Sequence, residues 1–294
     1  MGAMFTAGRR VLALTAVVLV AVTAAGAASA DPVTGSDANG TYLALGDSVA
    51  FGYVPANADP APKYLDAHSF IGYPEYLAQQ LDERVSNASC PGETTASMLV
   101  AGAQSNGCEN SVGSPIGYST LYPLHVQYQG TQMDYALHYL AAHKHTRLVT
   151  IDIGANDAFV CQATTPDHCS SLAELLGVAG TIATNLGTIF HQLRDVAGYD
   201  GPIVALTYYS LSYSDPAQVA GALFLNSVIA GVTTAFGGIV ADGFAAFQGP
   251  SAAFGGSPCA AGLLIRLPGG TCNIHPSPAG HRLLAAAIAD AIGP

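Results

Sequence analysis

Short apolar runs alternate along this chain with longer stretches in which apolar side chains recur at three- and four-residue spacing. The short runs predict strands of a parallel sheet, and the longer stretches predict the helices that connect them. The predicted strands are 42–46, 83–88, 147–154, 202–208 and 237–244. The predicted helices are 73–82, 131–144, 171–196, 216–235 and 279–292. No repeat or linker divides this pattern, so one α/β domain is predicted over residues 31–294.

The apolar stretch at 219–240 has two interpretations. Its length suits a membrane span, but Asn226, several glycines and its place between two predicted strands favour a buried core helix. We therefore expect this stretch to be a helix in the core of the domain, with no stable insertion of the mature chain into a membrane.

Residues 1–30 have the order of a secretory signal peptide. Arg9 and Arg10 precede an apolar stretch, which ends in small residues before Asp31-Pro32. Cleavage after Ala30 is predicted, which makes the protein secreted; an uncleaved membrane anchor is the alternative.

The charge balance is acidic. The formal net charge is −11, and removal of the two arginines leaves seven Lys and Arg against 20 Asp and Glu, or −13. A polyanionic chain with 10% charged residues is a poor partner for nucleic acid or for anionic lipid.

Six cysteines follow the predicted signal peptide, namely Cys90, Cys108, Cys161, Cys169, Cys259 and Cys272. An even count in an exported chain predicts three disulfides, for which 15 pairings exist. We favour pairing between neighbours in the sequence, because each bond would then close a short local loop.

Polar stretches follow the predicted strands at what would be one edge of the sheet, where open α/β folds place active sites. Ser48 follows the first strand, Gly92 the second and Asn156 the third, and His275 lies just before the last helix. A serine becomes nucleophilic when an imidazole accepts its proton, and the resulting oxyanion needs preorganised donors. These residue types together predict acyl transfer.

Four short blocks resemble those of the SGNH hydrolase, or GDSL esterase/lipase, superfamily. "LALGDSVAFGY" resembles the serine block, "IGANDA" the Gly-x-Asn-Asp block and "HPSPAGH" the histidine block, while Gly92 matches the glycine block in position. The resemblance implies that Ser48 is the nucleophile and His275 the base. It also implies an oxyanion hole formed by the Ser48 and Gly92 backbone N–H groups and the Asn156 amide.

The same resemblance implies a three-layer α/β/α fold around a five-stranded parallel sheet, in the flavodoxin-like arrangement. The cysteine spacing is similar to that of secreted, actinobacterial-type members with three local disulfides.

One position departs from the family pattern. Many members carry an aspartate two or three residues before the histidine, where this chain has Asn273 and Cys272. The imidazole would then be oriented by a backbone carbonyl, that of Cys272 being one candidate, or by the Asn273 side-chain oxygen. We expect the carbonyl, because an amide can turn and donate a hydrogen bond instead.

The sequence therefore predicts a secreted, monomeric serine esterase or lipase that cleaves carboxylic esters of lipids or small molecules, with no cofactor and no metal. A carbohydrate acetyl esterase would use the same site, with tyrosines of the loop at 118–128 exposed to bind sugar. A catalytically silent binding protein is the third possibility, because the orienting acid is missing.

Overall fold

A five-stranded parallel sheet forms the centre of the computed structural model, which describes residues 41–293. Its strands are β1 (Thr41–Gly46), β2 (Arg84–Asn87), β3 (Thr146–Asp152), β4 (Ile203–Leu206) and β5 (Ile239–Ala241). They lie in the order β2-β1-β3-β4-β5, with every neighbouring pair parallel. This confirms the predicted five-stranded sheet and its flavodoxin-like arrangement. The predicted signal peptide lies outside the described residues.

Helices cover both faces of the sheet. They are α1 (Ser48–Phe51), α2 (Tyr73–Leu81), α3 (Tyr118–Leu121), α4 (Gln132–Ala142), α5 (Ala155–Thr164), α6 (Leu172–His191), α7 (Pro216–Ala235), α8 (Gly243–Ala252) and α9 (Pro278–Ile292). On one face α9 packs against both α2 and α8, and on the other α6 packs against α7. The chain passes from β1 to β2 in one direction and then returns past β1 to β3, β4 and β5. Because crossovers between parallel strands are right-handed, connections that run in opposite directions place their helices on opposite faces.

The strands are apolar because both of their faces are covered. Tyr42, Leu43, Ala44 and Leu45 of β1 are all buried, as is every residue of β4. Strands buried on both faces are expected to be continuous apolar runs rather than alternating ones. This is why the sequence pattern locates them.

Four helices and a hairpin are additional to the predicted elements, and two of these helices, α1 and α3, have only four residues each. Neither α5 nor α8 was expected, and β6 (Leu264–Arg266) pairs antiparallel with β7 (Cys272–Pro276) outside the main sheet. The predicted strand at 237–244 is shorter than expected because α8 begins inside it. The Asp242 side chain accepts a hydrogen bond from Ala245 N–H at 2.9 Å and so caps that helix.

The expectation that the 219–240 stretch is a buried core helix is wrong. Only Asn226, Ile229 and Thr233 of α7 are buried. Within residues 41–293, α7 and the segment Leu172–Val196 are long and apolar enough to cross a membrane, judged by length and composition alone. Their apolar windows have mean hydropathies of 1.4 and 1.3, and only 17% of each is buried. Asn226 attaches α7 to the sheet by two hydrogen bonds with the Tyr208 backbone, at 2.7 and 2.8 Å.

Three disulfides join neighbouring cysteines, as favoured from the sequence. Cys90 pairs with Cys108, Cys161 with Cys169, and Cys259 with Cys272, over separations of 18, 8 and 13 residues. Each bond therefore closes a short loop, and no free cysteine is present within the described residues.

Candidate active site

Ser48 lies at the sharp turn where β1 ends and α1 begins. Gly46 has a φ of +150°, and a Cβ there would lie 2.5 Å from the Asp152 carbonyl oxygen, so the turn requires glycine. Asp47 donates its backbone N–H to that same carbonyl at 3.0 Å and accepts from Val49 N–H at 2.9 Å through its side chain. Ser48 is thereby fixed at the carboxyl end of β1, beside β3, where the strand order reverses.

His275 comes to Ser48 from the far end of the chain. It lies in β7, and its Nε2 is 2.8 Å from the Ser48 Oγ. Cys272 begins the same strand and is disulfide-bonded to Cys259, so the hairpin that carries the imidazole is covalently closed. The predicted pairing of these two residues is present in the structure.

The Asn273 side chain contacts the other imidazole nitrogen. Its Oδ1 is 2.5 Å from His275 Nδ1 and also accepts the His275 backbone N–H at 3.1 Å. A backbone N–H can only donate, so the atom facing it must be the amide oxygen. His275 Nδ1 then carries the hydrogen, and Nε2 presents its lone pair to Ser48. The expectation of a backbone carbonyl, with Cys272 as candidate, is wrong because the backbone N–H prevents the amide from turning.

The electrostatics of the imidazole favour a base. Burial lowers the pKa of His275 to about 4, because the charged ring loses solvation. The ring is therefore neutral at neutral pH and able to accept a proton.

Replacing Asn273 with aspartate is expected to move the acidic limb of the pH profile of kcat/KM to higher pH by more than about one unit. Hydrolysis stops when His275 is protonated, and a carboxylate beside Nδ1 would stabilise that protonated form and raise its pKa. In the unaltered protein we expect the limb below pH ~6.5, the ordinary value for histidine. The measurement is kcat/KM for a soluble ester between pH 4 and pH 9.

The matched control is Asn273→Ala, which removes the acceptor without adding charge and should leave the limb at or below its original position. Asp47 also titrates, because burial raises its pKa to about 6. Since Asp47 is present in all three proteins, the difference between them reports on His275. An unshifted limb in the aspartate variant would contradict the contact to Nδ1.

Three groups near the Ser48 hydroxyl can donate hydrogen bonds to a ligand. Asn156, near the start of α5, donates through Nδ2 to Asp47 Oδ2 at 3.1 Å, which leaves its second amide hydrogen for a ligand. The backbone N–H groups of Ser48 and Gly92 donate to no group among residues 41–293. Gly92 has a φ of +85°, and a Cβ there would lie 2.6 Å from the Asn106 backbone. The structure thus brings together the four residues predicted from the sequence.

Two further residues position these donors and were missed in the sequence. Asn106 donates from Nδ2 to Asn156 Oδ1 at 2.8 Å, and its backbone N–H donates to Gly92 O at 2.7 Å. Tyr208 donates its hydroxyl hydrogen to Asp47 Oδ2 at 2.7 Å. Asn106 lies in a loop without periodicity, and Tyr208 was predicted only as a strand end, so no local pattern marks either role.

Ser48 and His275 line a cleft of about 970 Å³. One wall of the cleft is built largely from apolar side chains of α6 and α7, including Leu175, Val178, Ile182, Phe224, Leu225 and Val228. The tyrosines expected to face solvent for sugar binding turn inward instead. Tyr118 is buried against Phe51, with ring centroids 5.2 Å apart, and Tyr122 packs on Tyr64 at 4.8 Å.

One cluster of side chains places its potential ligand atoms close enough together to hold a metal ion. It consists of Cys90, Glu93 and Cys108, but the two sulfurs form a disulfide and are not thiolate ligands. Burial raises the pKa of Glu93 to about 8, and its carboxyl group accepts a hydrogen bond from Gln132 at 3.0 Å. The group holds the loop after β2 together and is ill suited to a cation.

A sequence model of the GDSL-like lipase/acylhydrolase family matches residues 44–283. The chain belongs to this family. It is accordingly a carboxylic ester hydrolase, and the Ser48–His275 pair lies in the matched region. No curated protein matches the chain.

Solved structures of two other ester hydrolases share the fold. A catalytic mutant of an acetylxylan esterase from Geobacillus stearothermophilus is 17% identical, with a TM-score of 0.53 over 86% of this chain and 94% of that one. Phospholipase A1 from Streptomyces albidoflavus is 21% identical, with a TM-score of 0.53 over 86% of this chain and 99% of that one. At these identities the likeness concerns the fold.

Proposed function

We propose that this GDSL-family hydrolase cleaves esters of medium or long acyl chains through an acyl-enzyme on Ser48. In the first step His275 Nε2 takes the Ser48 hydroxyl proton while Oγ attacks the ester carbonyl carbon. The carbonyl oxygen becomes an oxyanion, which the Ser48 and Gly92 backbone N–H groups and the Asn156 amide stabilise. The imidazolium that forms keeps its orientation through Asn273.

The second half of the reaction reverses these roles. The tetrahedral intermediate collapses, the alcohol leaves with the proton from His275, and the acyl group stays on Ser48. A water molecule then gives a proton to His275 and attacks the acyl carbon. When this second tetrahedral intermediate collapses, His275 returns the proton to Ser48 Oγ, which releases the carboxylic acid and restores the serine. No step requires a cofactor.

The apolar wall of the cleft is the observation that supports the proposed class of substrate. Apolar side chains of α6 and α7 line the cleft, whose whole volume of about 970 Å³ exceeds what an acetyl group needs. Apolar surface of this kind gains free energy by burying methylene groups, at about 0.8 kcal/mol for each one. Tyr118 is buried and borders the cleft, so it does not form the solvent-exposed aromatic platform expected for a polysaccharide.

We further propose that the enzyme is exported, acts as a monomer and is of the secreted actinobacterial type. The three disulfides support an oxidising compartment. The Streptomyces phospholipase A1 fold is consistent with a lipid ester as substrate.

A series of p-nitrophenyl esters from acetyl to palmitoyl, beside acetylated xylan, tests the substrate class. We expect kcat/KM to rise by at least about tenfold between the acetyl and octanoyl esters, because each added methylene is buried on α6 and α7. Release of acetate from the xylan should be slower than hydrolysis of any of the longer esters.

The matched variant is Ile182→Ala, which shortens one side chain of the cleft wall. It should reduce kcat/KM for octanoyl ester more than for acetyl ester. A preference for acetyl ester together with fast deacetylation of xylan would identify a carbohydrate acetyl esterase. No turnover of any ester would identify a binding protein.

A further inference from the structure

The outward surface of α6 and α7 is apolar and nearly free of charge. Each helix has 20 residues, and Glu174 is the only Asp, Glu, Lys or Arg in either. Large apolar side chains are exposed on both, with 71% of Leu172, 55% of Leu176 and 48% of Leu223 accessible to solvent. A helix that packs on a sheet usually has a polar outer face. The outer faces of these two helices, like their inner faces on the sheet, are therefore suited to contact with an apolar partner.

This surface is continuous with the cleft that contains Ser48. The exposed side chains of Phe159, Leu175 and Phe224 also line the cleft, and Leu172, Leu176 and Leu223 lie beside them on α6 and α7. We call these six residues the apolar rim. Apolar side chains thus extend from the outer surface into the substrate cleft.

We propose that the apolar rim docks on the surface of an uncharged or zwitterionic lipid aggregate and delivers the acyl chain from that surface into the cleft. The inference rests on the proposed function, since the acyl chain is then the occupant of the cleft. Helices that lie at a membrane surface bind by placing their apolar face in the headgroup and acyl boundary. An acyl chain that passes along the rim stays in contact with apolar groups and is not exposed to water.

The net charge of the protein determines which type of lipid surface the apolar rim can bind. The chain has a net charge of −11 and the two helices carry no lysine or arginine, so an anionic bilayer offers no attraction. A second copy of the chain is the other apolar partner to consider. A dimer formed through the rim would cover the mouth of the cleft and exclude substrate, which favours the lipid surface.

The test measures flotation with phosphatidylcholine vesicles, using the full chain with Ser48→Ala so that the lipid is not hydrolysed. The rim variant adds Leu172→Gln, Leu176→Gln and Leu223→Gln, none of which lines the cleft. The matched control adds Leu65→Gln, Val100→Gln and Ile116→Gln, which are exposed apolar residues elsewhere. We expect the rim variant to partition at least about tenfold more weakly than the control. All three proteins share residues 1–40, so the difference reports on the rim.

The same substitutions are also made with Ser48 intact. The rim variant should then keep its kcat/KM on a soluble butyryl ester and lose at least about tenfold in rate on a dispersed long-chain ester. Equal vesicle binding by rim variant and control would overturn the proposal, as would tighter binding to phosphatidylglycerol vesicles than to phosphatidylcholine.

The proposal would also be overturned if the Ser48→Ala protein sediments as a dimer, the rim substitutions dissociate that dimer, and the protein binds no vesicles. These results would assign the rim to a contact with a second copy of the chain. If the unaltered protein binds vesicles through the rim but hydrolyses no ester, the proposed function fails and the docking surface stands. The two failures are therefore distinguishable.

Discussion

Replacing Ser48 with alanine is expected to lower kcat for ester hydrolysis by at least about 10⁴-fold while the fold remains intact. The substitution removes the nucleophilic oxygen 2.8 Å from His275 Nε2 and changes little volume, because Ser48 is only half-buried. His275→Ala should cost about as much, since the serine then has no base. The measurements are kcat with a p-nitrophenyl ester and the mass of the adduct formed with a fluorophosphonate.

The double variant sharpens this test. If the two residues act as one unit, Ser48→Ala combined with His275→Ala should be no slower than either single variant. His138→Ala, at an exposed position on α4, is the control and should retain full activity. A fluorophosphonate adduct elsewhere than on Ser48, or independent losses that multiply in the double variant, would refute the assignment.

Replacing Asn156 with alanine is expected to lower kcat by about 10²- to 10³-fold, or ~2.7–4 kcal/mol of transition-state stabilisation, with a much smaller change in KM. The amide is held ready before substrate binds, because Asn106 donates to its oxygen and Asp47 accepts from its nitrogen. Its remaining hydrogen is therefore most effective when the carbonyl oxygen becomes negative. The measurement is the separate determination of kcat and KM on a short soluble ester.

Two further variants distinguish hydrogen-bond donation by Asn156 from the effects of the size and position of its side chain. Asn156→Asp keeps the size of the side chain but loses the donor, so it should be at least as slow as Asn156→Ala. Asn106→Ala removes only the group that orients Asn156, and we expect a loss of about tenfold. A kcat for Asn156→Ala within about threefold of the unaltered enzyme would show that this amide does not bind the oxyanion.

The sequence predicts those parts of the fold whose burial is uniform. Tyr42 to Leu45 are covered on both faces, and such strands stand out as apolar runs. The bounds of α7 were predicted correctly, yet its burial was not, because composition does not show which apolar residues face outward. The segment Gly243–Ala252 contains glycine and proline, which disguise α8, and α5 is not predicted because it begins within a polar motif.

The candidate site was predictable to the extent that its residues lie in short local blocks. Ser48, Asn156 and His275 each follow a recognisable pattern, and the fold then brings them together. Tyr208 reaches Asp47 across 161 positions of sequence, and a contact of that kind leaves no local signal. The orientation of Asn273 was missed for a related reason: the turn that places the His275 backbone N–H on its oxygen is a property of the folded hairpin.

Two disulfide bonds lie in loops of the candidate active site rather than in the central sheet. No cysteine lies in β1 to β5, so no disulfide constrains the central strands directly. The loop closed by Cys90–Cys108 contains Gly92 and Asn106, and the bond from Cys259 ends one residue before Asn273. These two bonds therefore constrain the loops that carry the oxyanion donors and the support of the imidazole, and not the central strands. The covalent reinforcement of this domain is thus placed where the reacting groups must be held in position.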